Sequence, residues 1–305
     1  MSGKPWERTE WLDEDRLLLV ESVENIIGRA WSFEHLAGTE SQSNGWSNEA
    51  WQALGASGML GLGGDNGGST LDAALVGLAC GRALAIVPIV ETAAALALLR
   101  NSPTSGAATL AETIRAGEVV AVLIDGTSAA GRASAEEQLV PFGGVATTFI
   151  VRDGDKYLAV AREAGSSSRV APAMGPTPMA QVKLADAEAV DLEIDDATVA
   201  AHDARVAGAF ARSALAVGGC IGAIDTAVDY VQDRRQFGVP IGTFQAVQHE
   251  LADAAIATEL ARTALLSAAS SSVLEPGDVS RAQRMAFAAY LEVGRTVCQV
   301  RGGYG

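Results

Sequence analysis

Two arginines, two phenylalanines and three glutamines crowd one short stretch, Asp233-Arg-Arg-Gln-Phe-Gly-Val-Pro-Ile-Gly-Thr-Phe-Gln-Ala-Val-Gln-His-Glu250. Arg234 and Arg235 carry planar forks of N–H donors that suit phosphate oxygens. Phe244, Gln245 and Gln248 add an aromatic face and amide groups beside them. Such a set can hold an anionic ligand. It also has a purely structural use, because arginines near a helix C-terminus oppose its macrodipole. Gly238, Pro240 and Gly242 are ordinary turn punctuation. Residue types alone leave both uses open.

Other residue types offer less chemistry. His35, His202 and His249 are scattered, so a histidine-based triad has little support. Cys80, Cys220 and Cys298 are far apart in apolar surroundings and read as reduced core residues of a cytoplasmic protein. With no CxxC and no Cys/His cluster, no metal site is expected. Gly55 to Gly68 is glycine-rich but has no Walker lysine and no strand-to-helix G-x-G-x-x-G setting. It reads as a loop where helices approach closely. The net charge of -15 argues against nucleic acid or an anionic membrane surface as partner. The polar segment from Met1 to Glu14 is unlike a secretory signal. The apolar run from Leu71 to Leu99 is broken by Asp72, Arg82, Pro88 and Glu91, as in a buried helix pair rather than a membrane span.

A chain of 305 residues exceeds what one compact core usually holds, so two or three subdomains are expected. Residues 1–118 form an N-terminal helical domain. Helical spacing covers Leu12 to Leu36, Ser47 to Ala56 with Ser47 as cap, Leu71 to Leu84, Val87 to Arg100 and Ser105 to Arg115, which Gly117 ends. Residues 119–200 form a middle β domain, closed or sandwich-like. Its strands are Val119 to Ile124, Thr147 to Arg152, Lys156 to Ala161, Ser168 to Ala171 and Ala180 to Leu184, with Asp153-Gly154-Asp155 as a hairpin signal. Small residues and turns fill the gaps. Residues 201–305 form a C-terminal bundle of three helices: Ala207 to Asp233, Thr243 to Val273 and Val279 to Val300, the last capped by Asp278. Gly218, Gly219 and Gly222 allow close packing of the first. Glu250, Glu259 and Glu292 read as solvated charges on exposed helix faces.

Helices, a small β domain, then a shortened antiparallel helix bundle is an uncommon order, and this mainly α fold with a central β domain resembles the acyl-CoA dehydrogenase family. Trp51-Gln-Ala-Leu-Gly-Ala-Ser-Gly-Met-Leu-Gly-Leu followed by Gly67-Gly68 is similar to the family's first-domain loop, and Met174-Gly175 with Gln181-Val-Lys-Leu to the end of its β domain. Arg234 to Asp253 resembles its C-terminal signature, and Gln299-Val-Arg-Gly-Gly-Tyr-Gly its second signature. Such enzymes bind FAD and remove two hydrogens from the α and β carbons of an acyl-CoA thioester. A glutamate takes the α-proton and the β-hydride goes to the flavin. In the family these signatures serve the FAD of the neighbouring subunit. The resemblance therefore puts Arg234 at the pyrophosphate, with Arg235 and Gln236 beside it. Phe237 lies near the adenosine part, Phe244 and Gln245 border the same site, and Gln299, Gly302 and Gly303 line the adenosine diphosphate end. Arg212 matches the family arginine near the acyl-CoA cleft, although an arginine within an ordinary helix ion pair fits it equally.

The chain departs from the family in three places. The Thr-Glu…Gly-Ser-Asp loop and the Trp-Ile-Thr strand of the β domain are missing, and Leu123 to Glu137 stands in their place. The usual glutamate lies beyond the Gly-Gly-x-Gly motif, and this sequence stops at Gly305. The alternative glutamate position precedes Arg212 and holds Ala211. A general base must reach the proton it removes, and no matched position offers one, so no catalytic residue is assigned. The resemblance then implies a non-catalytic subunit that completes the FAD site of a full-length partner in a heterotetramer. Such pairs are known in the family, in actinobacterial steroid side-chain and lipid catabolism. Two alternatives stay open: a homo-oligomeric dehydrogenase with an unrecognised base or a missing C-terminal tail, and a flavin-free scaffold on the same fold.

Overall fold

The computed structural model describes residues 12–31, 46–63, 67–162, 166–170, 177–271 and 273–302, the strand at 166–170 by its backbone only. The described chain is mainly helical with a β region in its middle. It divides into two compact units. One comprises Met1–Asn25, Gly68–Leu84 and Ala209–Gly305; the other comprises Ile26–Gly67 and Ala85–Gly208. Met174 and Gly175, matched above to the family's β domain, lie outside the described residues, as does His35.

In the second unit, α2 (Asn48–Ala56) starts as its sequence predicts. The Ser47 hydroxyl accepts from the Ala50 N–H at 3.1 Å. Helices α4 (Ile89–Leu99) and α5 (Ser105–Arg115) follow. Gly117, at φ 74, turns the chain out of α5, and a Cβ on Gly55 would sit 2.4 Å from the Ala116 backbone. The expected close approach in the glycine-rich loop is therefore present.

Among the described residues the β region holds two four-stranded sheets. The first contains β1 (Ala121–Asp125), β4 (Thr148–Asp153), β5 (Lys156–Ala161) and β8 (Val190–Asp191), in the order β1-β4-β5-β8. β1 runs parallel to β4, and the other pairs are antiparallel. The second contains β2 (Thr127–Ala129), β3 (Arg132–Pro141), β6 (Ser166–Val170) and β7 (Met179–Glu188), in the antiparallel order β2-β3-β7-β6. Strand β3 corrects the reading of small residues and turns there. Only Ala133, Ala135 and Val140 are buried along it, and register shifts between Ala133 and Gln138 interrupt the two-residue period. A strand whose inward residues are alanines and whose register slips gives almost no periodic signal. Leu98, Ile114, Ala121, Ile150, Tyr157, Leu192 and Ala200 share the core of this unit.

The long helix α6 (Ala197–Asp233) starts ten residues before the expected Ala207. Its apolar window is long enough to cross a membrane, but 61% of that window is buried by the protein's own packing, as in a core helix. In the first unit its glycines meet those of α3 (Thr70–Arg82). Added Cβ atoms on Gly81, Gly218 and Gly222 would each lie 2.2 Å from a carbonyl oxygen of the facing helix. Arg82 seals this crossing, with Nη2 donating to Asp225 at 2.9 Å and Nη1 to Glu24 of α1 (Glu14–Ala30) at 3.4 Å. The apolar run from Leu71 to Leu99 thus holds two helices rich in buried residues, one in each unit.

Helices α7 (Gln245–Ala269) and α8 (Pro276–Arg301) also belong to the first unit and pack on each other. The N-cap of α8 is Glu275, without a side-chain cap bond, rather than Asp278. Asp278 sits in the first turn and pairs with Arg281. Cys80 and Cys220 are buried, but Cys298 is exposed near the end of α8, which corrects the expectation that all three are core residues. Burial pushes the Cys80 and Cys220 thiols up to about 12, the latter against a hydrogen bond with Thr258.

Candidate functional site

Helix α6 stops at Asp233, and the chain makes a tight β-hairpin instead of a plain turn. The Arg234 N–H still donates to the Tyr230 carbonyl, at 2.8 Å. Strand β9 (Arg235–Gln236) then pairs antiparallel with β10 (Val239–Pro240), with Gln236 opposite Val239. Phe237 and Gly238 form the two-residue loop at φ 53 and 85. Two successive positive φ values match a type I′ turn, whose twist suits a hairpin. Glycine takes this conformation freely, whereas a bulky aromatic in it is strained. The Ile241 N–H donates to the Arg234 carbonyl at 2.8 Å and closes the hairpin. A short 3-10 turn, Ile241–Thr243, leads into α7. There Gln248 Nε2 donates to the Gly242 carbonyl at 2.9 Å. A Cβ on Gly242 would lie 3.1 Å from Val231, so this turn lies close on the last turns of α6.

The hairpin presents its chemistry outward. Arg234, Arg235, Gln236 and Phe237 are all exposed. Phe237 is 94% exposed, and its ring meets Phe244 edge-on at 6.2 Å. Phe244 and Gln245 are also exposed at the start of α7. The second signature ends α8. Gln299 is exposed, and Gly302 takes φ 59 and ψ -130, with its N–H directed at the carbonyls of Cys298 and Gln299. Gly303 lies outside the described residues.

The two signatures come to one corner. The Tyr230 hydroxyl donates to the Arg301 carbonyl at 3.4 Å across 71 residues of sequence. The Arg301 guanidinium lies 5.7 Å from the centre of the Tyr230 ring. Tyr230 stands one helical turn before Arg234, and Arg301 immediately precedes Gly302. Neither was singled out from the sequence. The available signal was position: Arg301 lies inside the second signature, and Tyr230 lies one turn before the first.

Arg212 stands apart from this corner, exposed on α6, with Ala211 buried beside it. The glutamates also differ from expectation. Glu259 accepts from Arg262 Nη1 at 2.6 Å, and its Oε2 is buried without a hydrogen-bond partner among the described residues. Glu292 accepts from Arg295 at 2.8 Å. Glu250, Glu259 and Glu292 are all half-buried rather than fully solvated. Glu259 and Glu292 lie three residues before an arginine on the same helix, and that spacing was the available signal. Among the described residues no group of three or more His, Cys, Asp or Glu side chains could hold a metal ion.

Chemically, the corner gathers guanidinium forks, amide donors and an exposed aromatic pair. Those donors suit the diphosphate of a dinucleotide, and the rings suit a flat base. The corner therefore fits the adenosine diphosphate part of FAD. None of its arginines can act as a base, because a guanidinium keeps its proton.

Comparison with known proteins places the chain. Residues 200–305 match the family model described as acyl-CoA dehydrogenase, C-terminal domain. A 96-residue stretch is 45% identical to "Probable acyl-CoA dehydrogenase FadE25" of Mycobacterium tuberculosis, covering 30% of this chain and 25% of that protein. "Acyl-CoA dehydrogenase IpdE2" of Mycolicibacterium smegmatis is 28% identical over 308 residues, or 96% of this chain and 88% of the relative. Among solved structures, the ChsE4–ChsE5 complex from Mycobacterium tuberculosis superposes with a TM-score of 0.81 and 25% identity, covering 95% of this chain and 87% of the other. The signatures, the fold and these relatives agree: residues 200–305 carry an acyl-CoA dehydrogenase C-terminal domain, and the chain along nearly its whole length is similar to acyl-CoA dehydrogenases.

Proposed function

We propose that the chain is a subunit of an FAD-dependent acyl-CoA dehydrogenase that lacks its own catalytic base and completes the FAD site of a full-length partner subunit in a heterotetramer. One observation carries the reading. The whole Arg234–Phe237 tip is exposed, with a strained, 94% exposed aromatic at its end. A side chain held outward in a costly conformation is best accounted for by something that covers it.

Bound FAD would supply the two-electron acceptor for α,β-desaturation of an acyl-CoA thioester. This chain's residues serve binding. Arg234 would hold the pyrophosphate with Arg235 and Gln236 beside it, Phe237 would pack near the adenosine part, and Phe244 and Gln245 would border the same site. Gln299, Gly302 and Gly303 would line the adenosine diphosphate end. Arg212 is the residue offered to the acyl-CoA. In this reading the proton step belongs to the partner, and Ala211, which has no proton-accepting group, stands at the alternative family position for the base. The relation to ChsE4–ChsE5, a complex of two differently named chains, supports the heteromeric form.

The test is to assay acyl-CoA desaturation with an artificial electron acceptor, using this chain alone and the complex co-purified with a full-length dehydrogenase subunit. Activity in the complex only supports the reading. Turnover by this chain alone would reject it.

A further inference from the structure

We propose that Tyr230 and Arg301 form a clasp that sets the spacing between the Arg235–Pro240 hairpin and the Gln299–Gly302 signature, making both positioning residues for the nucleotide. The inference rests on the flavin reading above and deepens it. Each half of the proposed binding surface hangs on one member of the pair. Tyr230 accepts the Arg234 N–H on its backbone carbonyl at 2.8 Å, and Arg234 in turn accepts from Ile241 at 2.8 Å, so the root of the hairpin is tied to Tyr230. Arg301 is the last residue of α8, and the next residue, Gly302, leaves the helix at φ 59. A shift of either helix end would move one half of the surface against the other.

The contact has two parts of unequal strength. The hydroxyl-to-carbonyl distance of 3.4 Å is near the limit of a hydrogen bond, so that part is weak. The guanidinium sits 5.7 Å from the ring centre, within cation–π range. Arg301 Nε is buried without a hydrogen-bond partner among the described residues. The ring is therefore the contact that offsets its desolvation, and the stack carries most of the clasp. Neither residue touches the ligand in this account. Each acts through the backbone it holds.

The experiment uses the co-purified complex, stripped of flavin, with FAD titration as readout. Tyr230→Leu and Arg301→Met are expected to weaken FAD binding by about tenfold each, the range of a partly desolvated cation–π pair. The double variant should be no weaker than either single one, because both remove the same contact. Tyr230→Phe keeps the ring and should stay within about twofold of wild type. A general packing role would give additive losses and no rescue by phenylalanine, and either result overturns the clasp. If Tyr230→Leu does not fold, Arg301→Met decides alone, since it truncates a half-exposed side chain at a helix end. A wild-type complex that carries no flavin overturns the flavin reading and the clasp with it. A flavin-bearing wild type whose affinity is unchanged by both substitutions overturns the clasp alone.

Discussion

Two regions of the first unit are built from the same residue types to opposite ends. At the α3–α6 crossing, Gly77, Gly81, Gly218 and Gly222 bring two helix backbones into contact, and Arg82 is paired with Asp225 and Glu24. At the hairpin corner, Gly238, Gly242 and Gly302 shape turns, and Arg234 and Arg235 face outward. In the crossing, glycine is required because a Cβ has no room, and the arginine closes a structural joint. In the corner, most of the glycines have open space or positive φ, and both arginines are exposed. The same two residue types therefore build a packed joint in one place and an exposed turn in the other, and only burial tells them apart.

Breaking the crossing should have the largest effect. Gly218→Val puts branched carbons where even a Cβ lies 2.2 Å from a backbone oxygen. We expect a loss of about 3 kcal/mol or failure to fold, read by denaturant unfolding. Breaking the corner should leave folding alone and cost binding. Arg235→Ala should change stability by less than about 0.5 kcal/mol. It should nevertheless weaken FAD binding to the complex by roughly tenfold or more, the worth of a charge-assisted hydrogen bond. Equal effects of the two substitutions on stability would erase the contrast.

A smaller effect sharpens the structural side. Burial alone would raise the Asp72 carboxyl, but the Ser69 backbone and hydroxyl donors and Arg16 outweigh it and hold it below its usual value. The resulting stability is present above the unfolded carboxylate range and is lost as pH falls through the lowered folded value. Asp72→Ala should cost about 1 kcal/mol near neutral pH, by loss of the capping box of α3, and the gap should narrow in acid. The smallest effect concerns thiols. Cys80 and Cys220 titrate near 12 in the fold, so they should resist a thiol reagent while Cys298 reacts. Stability should fall as pH rises from the ordinary thiol value of 9.0 towards 12, because only the unfolded chain ionises there.

The sequence showed elements wherever a local signal was strong. Ser47 capped its helix as read, Asp153-Gly154 made a hairpin turn, and Gly218 and Gly222 marked a close crossing. Legibility failed where the physics was not local. Strand β3 hides behind alanines and slipped register. The start of α6 at Ala197 lies in a stretch whose polar and apolar residues have no clean helical period. Of the site, the two motifs were legible as specific strings of residues. Their meeting was not, because the Tyr230–Arg301 contact joins residues 71 apart in sequence and no local pattern links them. The three-residue spacing of Glu259 and Arg262 was a local signal, but the burial of Arg262 was not legible, because it depends on how α7 packs.

The most direct test counts flavin. This chain and a full-length dehydrogenase subunit are co-expressed, the complex is purified, and FAD is measured per subunit beside this chain expressed alone. The account predicts a colourless chain alone and a yellow complex with fewer flavins than subunits. One flavin per chain in the protein purified alone would contradict it.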